Sequence, residues 1–219
     1  MRPLLVPLIA AIALVPAALV VGASSNVCAP VTNSDMTCTG TGKSESLTTG
    51  NGDDTVDGMG GDDRLNLKGG ADTGRGGNGN DSIHGGTGSD TLSGQKGRDI
   101  VLGDETGKGG NDLVSGGAGN DRVFGMAGAD TVRGDDGNDV VHGGDGADVM
   151  EGGAGDDTLD DAPRSHRDKD TFRGGAGRDE IFSRDGLRDV VSCGSGSDTA
   201  KVDSKDKVAS DCEKVIKVG

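Results

Sequence analysis

Carboxylates recur along this chain at a single phase. Asp54, Asp63, Asp72, Asp81, Asp90 and Asp99 lie nine residues apart, as do Asp112, Asp121, Asp130, Asp139, Asp148 and Asp157, and Asp170 and Asp179 form a further pair at the same interval. Two residues before each stands a glycine: Gly52, Gly61, Gly70, Gly79, Gly88, Gly97, Gly110, Gly119, Gly128, Gly137, Gly146, Gly155 and Gly177, the exception being Asp168 before Asp170. An ionised carboxylate only accepts hydrogen bonds, so an array of them repels itself until cations intervene. Glycines beside the carboxylates let the backbone turn tightly and gather carbonyl oxygens around a common point. Carboxylate and carbonyl oxygens are the donor set of a hard cation, and calcium, which takes six to eight of them, fits it. Solvation of tight turns is a plainer use for aspartate. Asn and Ser would serve a turn equally well, however, and they appear at other positions while the sixth is always Asp.

The units that must position these groups run from 49 to 102 and from 107 to 160, with two more over 165–182 and four-residue insertions at 103–106 and 161–164. Their eighth position is apolar at Val56, Leu65, Ile83, Leu92, Val101, Val114, Val123, Val132, Val141, Met150, Leu159, Phe172 and Ile181, with Gly74 the exception. Residues seven to nine therefore predict a very short strand with the eighth side chain turned inward. Glycines at the first, second and fourth positions are expected to pass through positive φ. Each insertion follows an even number of units, so both should bulge from the same side, as tolerated surface loops. Leu67-Lys68-Gly69-Gly70-Ala71-Asp72 and Ser165-His166-Arg167-Asp168-Lys169-Asp170 lose glycines or gain bulk and positive charge, which makes theirs the weaker sites.

Composition excludes several alternatives. The chain has 219 residues, a formal charge of -15, 43 glycines and 1% aromatic residues, a poor basis for a conventional two-layer core of large side chains. Glycine does not recur at every third place and there are only 5 prolines, so a collagen helix is excluded. The acidity argues against nucleic acid as a partner. Low aromatic content with high charge is also the signature of disorder, and with cation sites added it predicts a chain that folds when it binds its ions.

The nine-residue unit, as in Gly76-Gly77-Asn78-Gly79-Asn80-Asp81-Ser82-Ile83-His84, resembles the G-G-x-G-x-D-x-U-x repeat of the RTX (repeats-in-toxin, haemolysin-type) calcium-binding family. The resemblance implies an all-β fold, a parallel β-roll or two-sided β-solenoid, in which two units make one coil and each calcium ion sits between turns eighteen residues apart. The pairs so implied are Asp54 with Asp72, Asp63 with Asp81, Asp72 with Asp90, Asp81 with Asp99, Asp112 with Asp130, Asp121 with Asp139, Asp130 with Asp148, and Asp139 with Asp157, with carbonyls of the turns around the fourth-position glycines. RTX toxins and proteases add a membrane-active or catalytic domain, and neither is evident here. There is no His-Glu-x-x-His motif, and His84, His142 and His166 have no recognisable nucleophile partner. A non-enzymatic, monomeric calcium binder is the expectation. The alternative is a calcium-dependent extracellular adhesin or surface-recognition module built on the roll; the third position offers a single threonine, Thr87, which disfavours an ice-binding ladder.

The ends differ from the middle. Arg2 and the apolar run from Leu4 to Val21, followed by Gly22 and Ala23, read as a secretory signal peptide over 1–23. Pro7, Pro16 and the weak basic flank disfavour a membrane anchor. Loss of Arg2 would take the charge from -15 to -16. Secretion makes four cysteines a disulfide framework with three possible connectivities, and their clustering at the two ends favours Cys28 with Cys38 and Cys193 with Cys212. A solenoid needs its edges capped, and 24–48 and 183–219 read as those caps. Gly186 to Val215 resembles the terminal segment of secreted actinobacterial-type calcium-binding repeat proteins.

Overall fold

The computed structural model describes Cys28 and residues 34–104, 109–161 and 168–218. The expected signal peptide at 1–23 lies outside the described residues, as does His166. The described residues form two ten-stranded sheets and no helix, with strands entering the two sheets alternately. A unit of nine residues brings the chain halfway round a coil, so each strand pairs in parallel with the next but one. Val123 thus lies beside Val141 in one sheet and Val114 beside Val132 in the other, each pair eighteen residues apart. The architecture is the two-sided β-solenoid that the repeat implies.

Strand length follows from chemistry at the unit's ends. A three-residue core such as Thr158–Asp160 or Arg64–Asn66 is flanked by turn residues that bend the chain towards the opposite sheet. The eighth-position side chains point between the sheets, and Val101, Val114, Val123, Val132, Val141, Leu159 and Ile181 are wholly buried there. Neighbouring positions face outward; on one outer face the rings of Phe124 and His142 stack with centroids 5.0 Å apart. The core is therefore two single files of apolar side chains, thin for the number of residues it must hold.

The one glycine in this file is compensated locally. Leu67 replaces the first-position glycine of its unit and is fully buried. A Cβ placed on Gly74 would lie 3.3 Å from Leu67 Cδ2 and 3.1 Å from Leu92 Cδ2, so the leucine from the preceding turn fills the space that a valine at position 74 would need.

The register survives both interruptions. Ile100 pairs with Arg122 and Met150 with Phe172, each across twenty-two residues, and Phe172 pairs with Val191 across nineteen. Gly103 and Asp104, read from sequence as part of the first insertion, keep the first two places of an ordinary turn: Asp104 pairs with Gly86. Asp161 likewise keeps a first place, its N–H donating to the Phe182 carbonyl. The ladder bonds hold these residues, so the surplus falls among 105–108 and 162–167, outside the described residues. Both interrupted turns lead from the same sheet to the other, between Ile100–Asp104 and Leu113–Ala118 and between Thr158–Asp160 and Thr171–Gly177.

Disulfides Cys28–Cys38 and Cys193–Cys212 lie near the two ends, with Cα separations of 5.8 and 5.0 Å. Cys38 and Cys193 sit buried within strands, so each bridge ties a cysteine outside the strands, Cys28 or Cys212, to the regular stack. Such a tie removes freedom from the unfolded chain as well.

The Leu67 and Gly74 exchange makes a testable pair. Leu67→Gly should lower stability in calcium by roughly 2–4 kcal/mol through the cavity it leaves, and Gly74→Val alone should cost about 1–3 kcal/mol through overpacking. The double variant should recover most of the loss in thermal unfolding. Strict additivity of the two costs would refute the compensation.

Candidate metal centre

The repeated aspartates form two continuous columns, one on each edge of the solenoid. Each is buried, from Asp63 and Asp112 at 3% exposure to Asp99 at 0%, because the turn folds over it and the next coil stacks against it. One carboxylate oxygen has a fixed structural task. The N–H of Asp54 donates to Asp72 Oδ1 at 2.7 Å, that of Asp72 to Asp90 at 2.8 Å, that of Asp121 to Asp139 at 2.7 Å and that of Asp139 to Asp157 at 2.8 Å. All eight pairs implied by the resemblance are hydrogen-bonded in this way.

The columns do not stop at the insertions. Asp90 donates to Asp112, Asp99 to Asp121, Asp148 to Asp170 and Asp157 to Asp179, at 2.7–3.0 Å. They continue into the C-terminal segment, where the N–H groups of Asp170 and Asp179 bond Asp189 and Asp198. In the sequence the nine-residue step resumes at Asp189 and Asp198 after a one-residue frame shift behind Phe182, and the hydrogen bonds leave both in line with the columns.

The second oxygen has no such partner. Oδ2 of Asp54, Asp63, Asp72, Asp81, Asp90, Asp99, Asp112, Asp121, Asp130, Asp139, Asp148, Asp157 and Asp179 is buried without a hydrogen bond. A buried carboxylate oxygen left in that state costs free energy unless a proton or cation meets it. These atoms face the first position of their own unit. A Cβ on Gly85 would lie 2.3 Å from Asp90 Oδ2 and 2.4 Å from the carbonyl oxygen of Gly103 in the next coil. On Gly94 it would lie 2.3 Å from Asp99 Oδ2 and 2.5 Å from the Gly116 carbonyl. In these turns carboxylate and carbonyl oxygens from successive coils thus converge on the space where a Cβ would stand, which is the donor chemistry calcium requires.

The three glycines of a turn serve different needs. Gly77 and Gly79 have φ of 117° and 134°, in keeping with the sequence reading of the second and fourth positions. Gly76, at the first position, does not have positive φ; its requirement is space, since a Cβ there would lie 2.3 Å from Asp81 Oδ2. The expectation of positive φ at the first position is therefore corrected. At the second position Met59, Lys68, Gln95, Met126 and Asp135 adopt positive φ without being glycine, each at a cost of about 1–2 kcal/mol. At the first position glycine gives way among the described residues at Thr49, Leu67 and Asp161.

Burial raises the proton affinity of these groups. Loss of water pushes Asp63, Asp72, Asp130, Asp139 and Asp179 up to about 6, and Asp90, Asp99, Asp148 and Asp157 up to about 7. The N–H bond from the preceding coil pulls each carboxyl partly back, and neighbouring carboxylates of the column push it up again. The structure also brings in two aspartates outside the nine-residue phase. Asp104 joins Asp90 and Asp112, and Asp161 joins Asp148 and Asp170, with ligand atoms within 4.8 Å of one another. Asp135 also takes a second position, in an uninterrupted turn, where it accepts from Ser115 Oγ; Asp104 and Asp161 take a second and a first position in the two turns that carry an insertion. That coincidence is the one sequence signal that could have found them.

Comparison with protein-family models finds the RTX calcium-binding nonapeptide repeat (4 copies) over residues 39–74, 75–105, 106–132, 124–159 and 167–200. No curated protein matches the chain.

The raised carboxyls fix the sign of a pH dependence. Between the ordinary carboxylate range near pH 4 and the folded values of about 6 to 7, the metal-free fold binds protons that the unfolded chain lacks. Its stability is then full in acid and lost as pH rises through 6 and 7. Circular dichroism of the metal-free protein should show more strand at pH 4.5 than at pH 7.5, and saturating calcium should restore strand at pH 7.5. Stability of the metal-free protein that rises with pH over this range would contradict the burial of these groups.

Proposed function

The chain belongs to the RTX calcium-binding nonapeptide-repeat family, and from that membership we propose that it is a secreted protein that folds as its turns bind calcium. The observation that carries this reading is the row of buried Oδ2 atoms without partners, those of Asp90, Asp99, Asp121, Asp130 and Asp139 among them facing the same space as a carbonyl oxygen of the next coil. Asp54 through Asp179 would supply the carboxylates and the Gly-rich turns the carbonyls. One ion between successive turns would satisfy oxygens from both, so binding at one level favours stacking at the next. Without cations the columns repel, and the two files of small apolar residues offer little to oppose them.

Secretion agrees with the paired cysteines, which fit an oxidising environment, and with the apolar leader sequence at 1–23. Among the described residues no helix is long and apolar enough to cross a membrane. Affinities in the range of extracellular calcium modules, on the order of 0.1–1 mM, would keep the chain unfolded at cytoplasmic calcium and fold it outside. We assign no catalytic role: the carboxylates of the columns are committed to the stack, and the cation serves structure.

Far-UV circular dichroism across a calcium titration, with magnesium as control, tests folding on binding. A cooperative gain of strand in calcium but not in equimolar magnesium is expected; full strand content without calcium at pH 7.5 would reject it. Asp139→Asn tests the site. Asparagine can still accept the Asp121 N–H bond through Oδ1, so a turn-solvating role predicts an unchanged calcium midpoint, whereas ligation predicts a midpoint raised several-fold.

A further inference from the structure

The two interrupted turns hold an additional carboxylate each. In the turn that begins at Gly103, Asp104 occupies the place of Gly86 one coil earlier and is 4% exposed. Its Oδ2 accepts the Gly110 N–H at 3.0 Å, and its Oδ1 is buried without a partner. The Oδ2 atoms of Asp90 and Asp112 are likewise buried and unpartnered. In the turn that begins at Asp161, that residue is 7% exposed with an unpartnered Oδ1, beside the unpartnered Oδ2 of Asp148. Among the described residues these are the two groups in which three metal-ligating side chains bring their atoms within 4.8 Å of one another. No ion pair among the described residues reaches any of the six.

Three carboxylates so close cannot all be ionised in a water-poor space without a counter-charge. The ordinary turn offers a cation the carboxylates of two successive coils; these offer a third, and calcium affinity rises with the charge of its ligand set. We propose that Asp90, Asp104 and Asp112, and Asp148, Asp161 and Asp170, form two high-charge cation sites that bind calcium more tightly than the other turns and fill first. The proposal rests on the calcium reading above, assigns Asp104 and Asp161 as additional ligands in the interrupted turns, and replaces the sequence expectation of a weak site at Asp170 with a tight one. Both sites lie on the same edge, with the turns opening at Gly125 and Gly143 between them. Ions held at both would organise the coils on either side before the intervening turns are loaded, and the insertions would then serve to admit the extra ligand.

Calcium binding to the purified protein, followed by isothermal titration against a competing chelator, tests this. Two ions should bind at least about tenfold more tightly than the rest. Asp104→Asn and Asp161→Asn should each remove one tight ion, and the double variant both, while the weaker class and the strand content at saturating calcium persist. Asp136→Asn, which removes an exposed charge in strand Thr131–Asp136, should retain both tight ions. A single uniform class in the unaltered protein, or two tight ions surviving in the double variant, would overturn the proposal while leaving the general calcium reading intact. Absence of any calcium binding would overturn both.

Discussion

The structure depends on a division of labour within one side chain. Each repeated aspartate uses one oxygen to bond the backbone of the preceding coil, and all but Asp170 leave the other buried without a partner. The first role sets the spacing of the coils, since the bond forms only when turns stack in register. The second makes the stack incomplete as polypeptide alone. A fold built this way cannot separate cohesion from charge compensation: the atoms that align the coils belong to the groups that repel one another. The first-position glycines are tied to the same constraint: at Gly76, Gly85 and Gly94 a Cβ would lie 2.3 Å from the free oxygen.

Much of this was legible in the sequence because a solenoid writes its geometry into period and phase. The nine-residue step of aspartates such as Asp121, Asp130 and Asp139 gave the turns, and Val123, Val132 and Val141 two places later gave the strands and their inward face. The clustering of the cysteines indicated the bridges that are found. What escaped was whatever depends on contacts between units and not within one. Leu67 read as a damaged turn and Gly74 as a damaged core position, but side by side they repair each other. Asp104 and Asp161 fell among residues counted as insertion, and phase has no way to rank a residue outside the period. The first-position glycine was credited with backbone freedom when the structure uses its smallness, a distinction that needs the neighbouring carboxylate in place.

Tolerance of the insertions follows from the same architecture. A turn in a stack touches only the turns above and below it, so the pairing of the sheets does not depend on an equal number of residues in every turn. Arg122 still finds Ile100 and Phe172 still finds Met150. The sheets therefore permit variation in the turns while the carboxylate columns run through it unbroken.

The columns also have an arrow. Every carboxylate reaches back towards the N-terminus to accept from the coil before it, beginning with Met36 and Glu45 as donors to Asp54 and Asp63. At the far end Asp189 and Asp198 must donate to something, and Asp206 and Glu213 receive those bonds. The roll is thus a filament with unlike ends, one presenting N–H groups already engaged and the other closed by substitute carboxylates. A further coil at the C-terminal end would have to take over from Asp206 and Glu213 as the acceptor of the Asp189 and Asp198 N–H groups.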